Sequence, residues 1–222
     1  MPHILTVLGL LSKYPDYRFV LDQVAYVRPF LERYPEDAPE FRKFVKEGRL
    51  QIVGGNDVML DVNIPSGESW IRQVLYGKGY YKRELGVNVT VGWALDTFGH
   101  HAQMPQLLKL AGYKSYWFQR GVPGNDTPSE FLWQGLDGTK IPAFWLPLGY
   151  GLFYPSPKNR FEFDGYARGI WTALGGHSHW PNRVALAGAD VVNPEAVLPV
   201  MVHDFDSKGD EPFTIRFGVP TD

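Results

Sequence analysis

Short apolar runs alternate with longer amphipathic stretches along most of this chain, and that alternation restricts the fold more than any other feature of the sequence. Tyr17–Leu21, Leu50–Val53, Val89–Leu95 and Ser115–Phe118 have strand length and strand composition. Between them lie stretches with apolar residues at helical spacing: Val24–Tyr34, Ala38–Glu47, Ser66–Leu85 and Gln103–Ala111. Pro35 separates the first two. Ser66-Gly-Glu-Ser, at the head of the longest, offers the hydroxyl and carboxylate groups that satisfy free N–H groups at a helix start. Phe131–Trp133 and Lys140–Trp145 flank Asp137-Gly138 and read as a hairpin. Strands separated by helices argue for an α/β fold with a parallel sheet or barrel. From Leu146 to Trp180 the pattern decays into Gly, Pro, Tyr and His, which reads as a long irregular surface segment. Arg183–Leu186 and Phe213–Phe217 then read as strands and Val197–Phe205 as a helix.

Residues 1–222 are read as a single domain, since a chain of this length buries a large core without subdivision. Lys and Arg number 22 against 24 Asp and Glu, so there is no electrostatic case for nucleic acid or an anionic membrane. Disulfides and thiolate metal sites are excluded because cysteine is absent. The apolar start Ile4–Leu11 is short and lacks a basic flank, and no apolar run approaches the ~20 residues of a membrane span. A cytoplasmic enzyme is the expectation.

The chemistry-bearing residues cluster after strands. Gly92–Gln106 reads Gly-Trp-Ala-Leu-Asp-Thr-Phe-Gly-His-His-Ala-Gln-Met-Pro-Gln. Asp96 ends an apolar run just before a helix, where α/β folds place their reacting groups. It reads equally as a helix cap. Asp190 likewise follows Val184–Ala187, and reads equally as a turn residue before Asn193-Pro194. His100 and His101 could ligate a metal. His177 and His179 have ligand-like spacing within a loop, where solvated side chains are the simpler reading. Trp117, Gln119 and Arg120 are expected along the sheet's C-terminal rim. Arg120 could hold a sugar hydroxyl or a carboxylate, or form a surface salt bridge.

Several segments, in this order, resemble the class II α-mannosidases of glycoside hydrolase family 38. They are Pro15-Asp-Tyr-Arg-Phe-Val, Gly48-Arg-Leu-Gln-Ile-Val-Gly-Gly, Asp61-Val-Asn-Ile-Pro-Ser-Gly-Glu-Ser with Arg72-Gln73, Ala94–Leu108, Gly112–Gly121 and Phe131–Thr139. The similarity is strong from Leu11 to Pro155 and weaker beyond. It implies a partial version of that family's seven-stranded, distorted β/α barrel and a mannoside or oligosaccharide substrate. Asp96 would be the nucleophile of a retaining glycosidase and a zinc ligand. Asp190 would be the acid/base, in a match to a Gly-x-Asp at a later strand end. Asp61 would bind substrate, as would Trp117 and Arg120, and His100 would support the nucleophile loop or bind metal. Retention needs two carboxylates about 5–5.5 Å apart across the scissile bond.

The sequence departs from the family in three places. Asp57 stands where the family has a tryptophan. The His-x-His-x-Asp motif of its first strand has no counterpart, and Leu5–Lys13 matches the tail of its first helix. The region of its last zinc histidine also lies outside the matched residues. Asp96 alone remains of the zinc ligands, and one carboxylate cannot replace the three or four that zinc needs. A missing first strand would leave an open edge and apolar surface near Tyr17–Leu21, so a homo-oligomer is expected. Two other readings stay open. One is a non-catalytic carbohydrate-binding fragment. The other is a metal-dependent deacetylase or esterase on a related barrel, using Asp96 with His100 and His177.

Overall fold

The computed structural model describes residues 2–123, 126–190, 192–209 and 211–222. Strands and helices alternate through the first two-thirds: α1 (Pro2–Lys13), β1 (Phe19–Gln23), α2 (Val24–Arg33), α3 (Ala38–Lys46), β2 (Leu50–Asn56), α4 (Gly67–Leu85), β3 (Val91–Ala94), α5 (Met104–Leu110) and β4 (Ser115–Phe118). The hairpin β5 (Glu130–Gln134) and β6 (Lys140–Trp145) follows, then α6 (Arg160–Gly175) and α7 (Leu198–Ser207). The helix starts obey local chemistry. Ser66 Oγ accepts the Ser69 amide at 3.2 Å to cap α4, and Gly86 closes that helix in a left-handed conformation.

β1 pairs in parallel with β2, and β2 lies against β3. β3, β4 and β6 are parallel neighbours, while β5 pairs antiparallel on the outer side of β6. Among the described residues there are six strands in two sheets; the resemblance implied a partial version of a seven-stranded barrel, and no seventh strand is found among them. Alternation along the strands sorts the core into two faces. Tyr116 and Phe118 join the helix-side cluster with Phe30, Phe41, Phe44 and Tyr81. Trp117 turns to the opposite face, with Val53, Val91, Trp93 and Leu146. α4 reaches the sheet closely at Gly77, where an added Cβ would lie 2.3 Å from the Gly55 carbonyl oxygen.

Four features differ from the sequence reading. The irregular stretch 146–180 contains α6, sixteen residues long. Asn159 Oδ1 accepts the Glu162 amide at 3.0 Å to cap it. Phe163, Ala167, Ile170 and Leu174 form one buried stripe against α7. Gly165 and Gly169 dilute helix propensity there, and tertiary packing overrides that local cost. Arg183–Leu186 and Phe213–Phe217 form no strand; an isolated bridge joins Leu152 to Ala187, just past the first. Phe213–Phe217 alternates because it packs along a helix layer. Phe213 stacks on Trp171 with centroids 4.5 Å apart, and Phe217 meets Tyr17 at 4.9 Å. That second contact helps cover the apolar surface expected to be open near Tyr17–Leu21: Tyr17 is 5% exposed and Leu21 7%. No helix among the described residues is long and apolar enough to cross a membrane.

Candidate active site

The register of the parallel sheet places the first two candidate residues together. β3 and β4 pair Val91 with Ser115, Trp93 with Trp117 and Ala94 with Phe118. Two residues past the last pair, the same register sets Asp96 opposite Arg120. Arg120 Nε donates to Asp96 Oδ1 at 2.5 Å, with both side chains partly exposed. The guanidinium also lies 4.5 Å from the centroid of the Phe98 ring, which is 68% exposed. The turn that carries these groups depends on two left-handed glycines. Gly99 has φ +91° and Gly121 φ +86°, and a Cβ on Gly121 would meet Gly99 Cα at 3.2 Å.

β6, the other neighbour of β4, leads to the second pair. Past its end, the Tyr150 hydroxyl donates to Asp190 Oδ2 at 3.2 Å. Burial together with the negative charges of Asp190 and Asp96 pushes the Tyr150 hydroxyl up to about 12, while Arg120 partly opposes the shift. Tyr150 therefore keeps its proton at neutral pH and acts as a donor. Asp96 and Arg120 follow the ends of β3 and β4, and Tyr150 follows the end of β6, the parallel neighbour of β4. The sequence reading missed Tyr150. Its only local signal is a tyrosine a few residues beyond a strand end, in a segment read as irregular.

The other expected residues have different surroundings. Trp117 is 5% exposed, stacked on Phe144 at 4.3 Å and 8° and beside Trp93, so packing uses the ring faces that a sugar would need. Asp61 Oδ1 accepts the amides of Asn63 at 2.8 Å and Ile64 at 3.1 Å and folds its own loop. Asp57 pairs with Arg28 at 3.2 Å. His100 is wedged among Tyr116, Phe118 and Trp133. Its Nε2 lies 2.9 Å from the Arg120 carbonyl oxygen and its Nδ1 3.1 Å from the Tyr116 hydroxyl. Burial lowers its pKa, which favours the neutral ring. His101 Nδ1 accepts the Gln103 amide at the start of α5. The His177 ring packs against Trp145, which is bonded to the Gln119 carbonyl. His179 is exposed. Among the described residues no three His, Asp or Glu side chains form a group able to hold a metal. With Asp96 ion-paired and both His100 nitrogens engaged, the donors present do not fit a zinc ion.

The sequence model of the glycosyl hydrolases family 38 N-terminal domain matches residues 2–183, well past Pro155. The chain belongs to glycosyl hydrolase family 38. Within the family it is 34% identical over 137 residues to alpha-mannosidase G of Dictyostelium discoideum, covering 60% of this chain and 13% of that protein. It is also 34% identical over 164 residues to the alpha-mannosidase of Saccharomyces cerevisiae, covering 71% of this chain and 14% of the relative. The chain thus spans about one-seventh of the length of these relatives. A solved alpha-mannosidase from Enterococcus faecalis V583 superposes with a TM-score of 0.85 at 24% identity, over 93% of this chain and 24% of that one. That likeness shows that the fold is shared.

Proposed function

We propose that this chain carries the nucleophile side of an α-mannosidase-like glycosidase that works with retention. The observation behind the proposal is that each carboxylate is held by its own donor, Asp96 by Arg120 and Asp190 by Tyr150, and that both charges act on the Tyr150 hydroxyl. Family membership supplies the substrate class, an α-mannoside.

In this reading Asp96 attacks the anomeric carbon as the glycosidic C–O bond breaks. Asp190 gives its proton to the departing oxygen. Asp190 then takes a proton from water, whose oxygen displaces Asp96 and regenerates both groups. Arg120 aligns the attacking carboxylate by occupying Oδ1 and leaving Oδ2 for the sugar. Tyr150, held protonated, orients Asp190. Asp61 organises the loop beside Asn63, whose amide reaches the Phe98 carbonyl at 3.5 Å. No step is assigned to a metal.

Asp96→Asn tests the reading. The substitution keeps the shape and removes the attacking charge, so turnover of an aryl α-mannoside should fall at least ~10³-fold with the fold intact. Wild-type turnover in this variant removes the nucleophile assignment. A wild-type chain that binds mannosides without hydrolysing them would mark the carbohydrate-binding alternative.

A further inference from the structure

We infer that the cation serving Asp96 in this chain is the Arg120 guanidinium and not a divalent metal ion. The inference rests on Asp96 being the reacting carboxylate, as proposed above. A carboxylate poised for attack needs one oxygen fixed and the other free. A metal ion does this in many hydrolases, and a guanidinium can do it through directed N–H bonds.

Three observations assign the task to Arg120. Its Nε is bonded to Asp96 Oδ1 at 2.5 Å, so one oxygen of the carboxylate is already held by a cation. The guanidinium is pinned from the side by Phe98 at 4.5 Å, and its residue is pinned from behind by the His100 ring at the Arg120 carbonyl, 2.9 Å away. His100 is thereby a positioning residue for Arg120, and its second nitrogen is tied to Tyr116. Finally, no cluster of three metal-ligating side chains stands among the described residues, and a dication placed at Asp96 would face the guanidinium's positive charge. The geometry of a metal site is replaced by that of a buttressed ion pair.

The test combines zinc uptake with the nuclear magnetic resonance signal of the Arg120 side chain. After equilibrium dialysis against micromolar zinc, the 222-residue chain should retain below about 0.1 equivalent, since one carboxylate cannot meet a three- or four-ligand requirement. The Arg120 Nε–H resonance should be resolved and slowly exchanging. It should be unmoved by zinc or by chelator and lost in Asp96→Asn. Arg120→Lys should retain part of any aryl α-mannoside turnover through a higher KM, and Arg120→Met should lose kcat. Retention of one zinc per chain by wild type and not by Asp96→Asn overturns the inference, whatever the turnover. So does an Arg120 Nε–H signal indifferent to Asp96→Asn. A chain that takes up no zinc, shows the coupled resonance and hydrolyses nothing upholds the ion pair and refutes the hydrolase reading alone.

Discussion

Tyr150→Phe isolates one contact of the proposed site. The substitution removes a single oxygen and leaves the ring. Tyr150 donates to Asp190 Oδ2 at 3.2 Å, and with its own ionisation pushed up to about 12 it remains a donor throughout the neutral range. A hydrogen bond to a charged group contributes about 1.5–3 kcal/mol. Asp190 is exposed, so water replaces part of that contribution, and the low end applies. A loss of ~1.5 kcal/mol in the transition state is about tenfold in rate. The assay is the initial rate on an aryl α-mannoside, beside Asp96→Asn, with thermal unfolding recorded for each variant. The expected result is a kcat about tenfold down, KM little changed and a melting temperature within about 2 °C of wild type, because the lost hydroxyl lies at a partly exposed rim. A Tyr150→Phe enzyme with wild-type kcat would refute the orienting role of Tyr150. A fall as deep as that of Asp96→Asn would refute it equally, by showing that Tyr150 itself reacts.

Other expectations concern the scaffold. Phe163 is fully buried between α6 and α7, so Phe163→Ala should cost about 3–5 kcal/mol in denaturant unfolding; a cost below about 1 kcal/mol would mean that the layer is not packed as described. Burial raises the Asp22 carboxyl from 3.8 to about 6, so the folded chain holds its proton more tightly than the unfolded chain. Stability should therefore fall as pH rises from about 4 to about 6 and then level, by at most ~3 kcal/mol, and Asp22→Asn should flatten that slope. A slope unchanged in that variant refutes the assignment. Phe217→Ser uncovers Tyr17 and should promote self-association in sedimentation at micromolar concentration; wild type and variant sedimenting alike would show that this contact does not protect the β1 edge.

The period of the sequence alone determined the alternating α/β order, the β4 and β6 limits, the α4 cap at Ser66 and the position of Asp96 just past a strand, because each of these is set by residues a few positions apart. The motif order also carried the family. The partnership of Asp96 with Arg120 was latent in the sequence but became visible only through the β3–β4 register, which no local pattern reports. Tyr150 and Asp190 lie far apart in the chain and meet because β6 returns beside β4 and the Leu152–Ala187 bridge brings the later segment back. α6 was hidden for a related reason: its glycines weaken the local helix signal, and only the stripe buried against α7 decides its conformation. Trp117 and His100 show the converse. An aromatic ring in a strand and an imidazole in the loop after one are chemically able to bind sugar or metal. Neighbours contributed by β3, β5 and β6 occupy the Trp117 ring faces and crowd His100, while Arg120 and Tyr116 engage its two ring nitrogens.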